Sequence, residues 1–196
     1  EKGFAHMLDF IRVGRTEKEI QLELDYYMLK NGAEALSFDT IALSGSNTSL
    51  PHGVPSDKKV ESGEFVLMDF GATYDGWHSD MTRTVCVGKP SDKMKSVYET
   101  VLTAQLSALY AVKAGMSGKA LDKIARDIIT EASYGDNFGH SLGHGVGVEI
   151  HESPYASPSR EDILPENSIV TVEPGIYLEG KFGVRIEDFV VVTENG

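Results

Sequence analysis

The chain repeats itself, and the repeat limits what it can fold into. Ile11-Arg-Val-Gly-Arg-Thr-Glu-Lys-Glu-Ile20 lies over Val112-Lys-Ala-Gly-Met-Ser-Gly-Lys-Ala-Leu121 at a constant offset of 101 residues. Gly14 meets Gly115, Thr16 meets Ser117, and Ile20 meets Leu121. Each copy reads as a helix end, a glycine stop and a hydroxyl that caps the next helix. Phe4, Met7, Phe10 and Ile11 keep helical spacing before Gly14. Thr16 and Glu19 form a capping box for a second helix carrying Ile20, Leu24, Tyr27 and Met28 up to Gly32. In the second copy Ser91 caps a helix with Val97, Val101, Leu102, Leu109 and Val112. Gly115 stops it, and Ser117 starts another helix through Ile128 and Ile129. Strand-like runs follow each helix pair, over 64–70 and 77–87, then over 168–172 and 189–192. A helix–glycine–helix join is common, so the match alone is compatible with chance. The shared order, two helices and then strands, favours an α+β fold of duplicated helix-helix-strand halves with pseudo-two-fold symmetry. The halves fall at about 1–89 and 90–196, and a cleft is expected between them.

With 196 residues, 41% of them hydrophobic, the chain can bury a real core. Its 30 acidic and 18 basic residues give a net charge of −12, which excludes nucleic acid as the main partner. Most of that acidity reads as solvated surface. The single cysteine, Cys86, rules out a disulfide within the chain and suits a reducing, cytoplasmic setting. It lies in Val85-Cys86-Val87 and reads as a packed residue rather than a catalytic thiol. No stretch is apolar for long enough to span a membrane, and no signal peptide is visible. The chain opens in Glu1-Lys2-Gly3-Phe4 and reads as an excised domain.

Five segments carry chemistry. Asp69 ends the apolar run Phe65-Val-Leu-Met, where an unpaired carboxylate is costly to bury. Asp75-Gly76 is a hairpin turn signal. If it is a two-residue turn, Asp69 faces Thr82 on the same side of the ribbon as Asp80. The two carboxylates are then diagonal neighbours, roughly 7–8 Å apart at the backbone. That gap suits two cations roughly 3.5–4 Å apart. On these two residues alone, the simpler reading pairs Asp80 with Arg83 and lets Asp69 cap a turn. The third segment, 140–151, places His140, His144 and His151 amid three glycines. Histidine is the commonest metal ligand and the natural acid–base group near neutral pH. The fourth and fifth are Glu173-Pro174-Gly175, after an apolar strand, and Arg185-Ile186-Glu187-Asp188, before one. Four converging carboxylates repel one another unless they take up protons or bind cations. With one imidazole from His144 the donor set is oxygen-rich, which favours Mn, Fe(II), Co or Zn.

Asp69 and Asp80, then His144 and His151, then Glu173-Pro174-Gly175, then Arg185-Ile186-Glu187-Asp188, resemble in order the pita-bread metallopeptidases. That family includes methionine aminopeptidase, aminopeptidase P and prolidase. The resemblance runs over nearly the whole chain and implies the pita-bread fold. It implies two divalent metal ions, manganese above cobalt, iron or zinc, held by Asp69, Asp80, His144, Glu173 and Glu187. Asp80 and Glu187 would bridge both ions. It implies catalytic or substrate-side roles for His52, His140, His151, Glu173 and Arg185. His6 and His78 match nothing functional.

The residues around Asp80, His151 and Glu187 look like those of the Xaa-Pro enzymes. The expected activity is therefore hydrolysis of the bond after an N-terminal residue, with proline second. Methionine aminopeptidase activity is the nearest alternative. A metal-free peptide-binding module and a creatinase-like hydrolase are disfavoured, because all five ligand types are present. Enzymes of the Xaa-Pro branch usually carry a separate amino-terminal domain, which this stretch of sequence is expected to lack. The resemblance leaves a homodimer of the longer protein open.

Overall fold

The protein is described by a computed structural model, which places residues 1–194. The first half opens with α1 (Lys2–Phe10) and α2 (Glu17–Lys30). Thr16 caps α2 as expected: its hydroxyl accepts from the Glu19 N–H at 3.1 Å, and the Glu19 carboxylate accepts from the Thr16 N–H at 2.8 Å. Two N–H groups that a helix start leaves unpaired are thereby satisfied. Six strands follow: β1 (Ala35–Leu36), β2 (Ile41–Ser44), β3 (Glu64–Phe70), β4 (Ala72–Tyr74), β5 (Trp77–His78) and β6 (Met81–Val87). The second half repeats the order with α3 (Asp92–Ala111), capped by Ser91, and α4 (Gly118–Glu131), capped by Ser117. Its strands are β7 (Gly143–Gly145), β8 (Glu152–Ala156), β9 (Ile169–Val172), β10 (Gly175–Leu178), β11 (Phe182–Arg185) and β12 (Asp188–Val191).

The duplication extends to individual hydrogen bonds. Gly14 donates to the Val60 carbonyl and Gly115 to the Leu164 carbonyl, both at 2.9 Å. Val60 donates back to Arg15 and Leu164 to Met116, both at 2.8 Å. Gly14 and Gly115 have φ of 91° and 81°, the left-handed region that glycine enters without penalty, which explains glycine in both copies.

The strands also match between halves. In the first, β3 lies between β2 and β6; in the second, β9 lies between β7 and β12, with β8 added outside β7. All pairings are antiparallel. Each central hairpin carries an insertion, β4–β5 in one half and β10–β11 in the other. The β4–β5 turn is the expected one, with Tyr74 opposite Trp77 and positive φ at Asp75 and Gly76.

β3 is buried on both faces, which accounts for its unbroken apolar run. Val66, Met68 and Phe70 pack with Met7, Ile20 and Leu24 of the first helix pair. Phe65 packs into the larger core, with Val97, Val101, Leu121 and Ile129 of the second pair. Cys86 is only half-buried, packed against that larger core, and burial pushes its thiol pKa up.

Two expectations need correction. The run over 77–87 is two strands, because the chain leaves the ladder at Ser79-Asp80. There the Ser79 hydroxyl takes over a ladder bond, accepting from the Ala72 N–H at 2.9 Å, and a Cβ on Gly71 would lie 1.9 Å from the Ser79 carbonyl oxygen. The segment 44–56 is also not all loop: it begins with the last residue of β2 and a 3₁₀ turn over Gly45–Ser49. No helix among the described residues is long and apolar enough to cross a membrane.

Candidate metal centre

The four carboxylates sit where each central hairpin meets its insertion. Asp69 lies near the end of β3, and Asp80 just before β6. Glu173 follows β9, and Glu187 precedes β12. Each half thus supplies two carboxylates, one from each side of its hairpin. The Asp69↔Thr82 and Val172↔Asp188 pairings fix their heights in the sheets. His144 comes from β7, beside β9. The Gly-rich spacing there is structural: a Cβ on Gly143 would lie 1.9 Å from the Thr171 carbonyl oxygen.

These side chains meet in one cavity of about 170 Å³. Asp69, Asp80, His144, Glu173 and Glu187 line it, together with His52, His140, His151 and Arg185. All nine residues singled out in the sequence are therefore brought together. His6 and His78 lie elsewhere, His6 stacked on Tyr27 and bonded to Glu23. Ligand atoms of Asp80, His144 and Glu187 lie within 4.8 Å of one another. His144 Nε2 is 3.3 Å from Glu173 and 3.7 Å from Asp80. Its Nδ1 donates to the Gly145 carbonyl at 2.9 Å, which turns Nε2 into the cavity, where it faces Glu173 with its proton on and offers a lone pair once that proton is lost.

Asp80 does not pair with Arg83. Arg83 instead donates to the Thr82 and Glu187 carbonyls and to the Asp188 carboxylate, which ties β6 to the start of β12. The Thr82 hydroxyl donates to Glu187 Oε2 at 2.6 Å and accepts from Arg185 Nε at 3.1 Å. Arg185, 2% exposed, pairs with Asp69 Oδ2 at 2.5 Å and donates to the Tyr177 hydroxyl at 2.8 Å. That hydroxyl also bonds His140 Nε2 at 2.8 Å, and His140 Nδ1 bonds the Ser141 carbonyl at 2.8 Å. The Thr171 hydroxyl accepts from the His144 N–H and donates to Glu173.

The charges are crowded, and the proton affinities reflect it. Burial, reinforced by the charges of Asp69 and Glu173, pushes Asp80 up to about 8. Burial and the other three carboxylates push Glu187 well up. Burial also raises Asp69, despite the Arg185 guanidinium. Burial would raise Glu173, but the hydrogen bond from His144 and the neighbouring positive charges outweigh it and hold Glu173 low. Burial would lower His144, but its bond to Glu173 and that group's charge prevail and raise it. Burial lowers His140 and, together with the His144 charge, His151. Burial lifts the Tyr177 phenol to about 12, so it stays a neutral hydrogen-bonding group.

The donor set fits a divalent cation. Asp69 Oδ1 is buried without a hydrogen-bond partner among the described residues, an arrangement that costs free energy unless a cation or water occupies its lone pairs. Its neighbours, two high-pKa carboxylates and the Nε2 side of the His144 imidazole, are oxygen-rich and thiolate-free, as Mn, Fe(II), Co or Zn prefer.

A metallopeptidase family M24 model matches residues 1–194. The chain belongs to metallopeptidase family M24. Over its full length it is 50% identical to the Xaa-Pro dipeptidase of Pyrococcus furiosus, of which it covers 56%. It superposes with a TM-score of 0.97 on the X-Pro aminopeptidase of Thermotoga maritima, at 54% identity and covering 55% of that chain. For a Xaa-Pro dipeptidase from Bacillus anthracis the TM-score is 0.98, at 51% identity and 55% coverage of that chain. The fold is the pita-bread fold of this family. The M24 chain spans about half the length of the relatives it matches.

Sequence reasoning missed Phe38, Ile41 and Pro51, which complete the cavity lining, and Tyr177, Thr82 and Thr171, which bond to its residues. Tyr177 lies four residues after Glu173 in an apolar strand, and nothing in its spacing marks it. The two threonines carried a signal: each is a hydroxyl facing the site from an apolar strand two residues from a carboxylate.

Proposed function

We propose that this M24 protein hydrolyses the peptide bond after an N-terminal residue when proline follows it, using two divalent metal ions. The observation that carries the reading is the meeting of Asp69, Asp80, His144, Glu173 and Glu187 in one small cavity, with Asp69 Oδ1 left for a cation. These five residues would hold the ions. Manganese is our assignment, and cobalt, iron and zinc suit the same donors. When bound, such cations supply Lewis-acid activation of the carbonyl and of water.

The chain's own groups divide the remaining work. Glu173, held ionised beside His144, accepts a proton and passes it to the leaving nitrogen. His151, at the exposed rim, donates to the oxyanion that forms at the first residue's carbonyl. His52 and His140 orient the residue after the scissile bond. Tyr177 fixes the His140 ring, and Arg185 orients Asp69. A proline nitrogen in the substrate has no N–H to offer, and Phe38, Ile41 and Pro51 give the cavity an apolar wall that suits a ring. The Xaa-Pro dipeptidase named above supports the same substrate class. We assign the 196 residues to a single catalytic domain with halves at about 1–89 and 90–196. We place it in the cytoplasm on its single cysteine, and a homodimer of the longer protein is testable by light scattering.

Glu173→Gln tests the proton-transfer role. The variant is expected to bind metal in the same amount as the parent and to lose Xaa-Pro hydrolysis. A fully active variant removes Glu173 from that role.

A further inference from the structure

His52 reaches the cavity from the exposed tip of the 44–56 segment, beyond a buried 3₁₀ turn over Gly45–Ser49 whose Thr48 hydroxyl accepts from the Gly183 N–H at 2.8 Å. Leu50 and Val54, on either side of it, are 51% and 83% exposed. At the tip, Arg185 Nη1 donates to the Pro51 carbonyl at 3.4 Å. The base is held differently. Glu17, the first residue of α2, is completely buried, and among the described residues its carboxylate accepts hydrogen bonds only from this segment. Oε1 accepts from the Ser44 N–H at 2.7 Å, the Ser44 hydroxyl at 3.2 Å and Asn47 Nδ2 at 3.0 Å. Oε2 accepts from Asn47 Nδ2 at 3.2 Å, the Ser56 N–H at 3.0 Å and the Ser56 hydroxyl at 2.6 Å. One carboxylate thus closes both ends of the segment that presents His52. A buried carboxylate satisfied by this many donors is a rigid anchor, and losing the carboxylate leaves several buried donors unpaired.

The other half does the same by different means. Asp122 on α4, also buried, pairs with Arg126 and accepts from the Leu142 N–H at 3.0 Å. Arg126 donates to the carbonyls of Phe138 and His140. Glu17 and Asp122 are not related by the 101-residue offset, so shared ancestry of the two halves does not account for both anchors.

We propose that Glu17 is a positioning residue that sets the reach of His52 and thereby the grip on the residue after the scissile bond. The proposal rests on the substrate role given to His52 above. Glu17→Gln keeps the shape but turns an NH2 toward N–H and hydroxyl donors, so part of the anchor is lost. The test compares the metal-loaded parent with Glu17→Gln, His52→Ala and the double variant on one Xaa-Pro dipeptide. The folded Glu17→Gln protein is expected to carry the parent's metal content. Its KM should rise about tenfold while kcat changes by less than about threefold. In the His52→Ala background the same substitution should change KM no further. An unchanged KM, or an equal penalty in both backgrounds, overturns the proposal and leaves Glu17 a purely structural group. If the parent cleaves no Xaa-Pro peptide, the substrate reading fails by itself. The His52 ring resonances in proton–nitrogen NMR spectra then decide: a shift or broadening in Glu17→Gln supports positioning, and an unchanged spectrum refutes it.

Discussion

Loading metal into the stripped protein should release protons, and the structure says how the number depends on pH. Ligand carboxylates must be ionised to bind cations. Without cations, Asp80 sits at about 8 and Glu187 well above the usual carboxylate range. At pH 7 Asp80 is then protonated roughly nine times in ten, and at pH 9 roughly one time in ten. Glu187, raised in the same direction, adds to the release. Asp80 alone is expected to release about 0.9 proton per loaded molecule at pH 7 and about 0.1 at pH 9, so the total should fall by about one between the two as Asp80 ionises beforehand. Titration calorimetry in two buffers of different ionisation enthalpy reads this number directly. The same groups set the sign of a stability trend. A carboxyl whose folded-state pKa is raised binds a proton that the unfolded chain has already lost. The stripped protein should therefore lose stability from about pH 4 up to about pH 8, by about 1.4 kcal/mol per pH unit for each such group. Metal binding should flatten that slope. Loading without proton release at pH 7, or a release that does not change between pH 7 and pH 9, refutes the charge-crowding account.

Three substitutions probe the frame around the cavity. Arg185→Leu in the stripped protein leaves the buried Asp69 without its guanidinium and is expected to cost about 3–5 kcal/mol by denaturant unfolding. A loss below about 1 kcal/mol would mean that the pair is not the anchor described. Leu121→Ala opens a hole in the fully buried second-half core and should cost about 2–5 kcal/mol by the same assay. Gly71→Ala drives a methyl group into the Ser79 carbonyl and should displace Asp80, reducing metal content in the folded fraction measured by elemental analysis. Unchanged metal content would show that the segment yields without moving its carboxylate.

The helices were legible because their signals are local. Thr16, Ser91 and Ser117 each cap the helix that the periodicity predicts, and Gly14 and Gly115 sit where positive φ requires them. Asp69 and Asp80 were placed on one face because a two-residue turn at Asp75-Gly76 fixes register by counting. The halves of the site were harder. Glu187 meets Thr82 across 105 residues, and Arg185 meets Asp69 across 116, distances over which spacing carries no register. Only the ordered motif set bridged that gap. The short strands β7, β10 and β11 escaped because three or four residues, rich in glycine, carry too few positions for a period to show. Tyr177 and the Glu17 anchor escaped for a related reason: a buried polar group declares itself only by its partners, and those partners lie far along the chain.

The central claim, that this cavity is a metal-dependent peptidase site, meets its most direct test in one assay. Metal-stripped protein is incubated with a panel of Xaa-Pro dipeptides and tripeptides and a Met-Ala peptide, with and without added Mn(II). The account predicts no cleavage of any peptide without metal, and cleavage restored by Mn(II) for the Xaa-Pro peptides but not for Met-Ala. Cleavage that is indifferent to metal, or confined to Met-Ala, would contradict it.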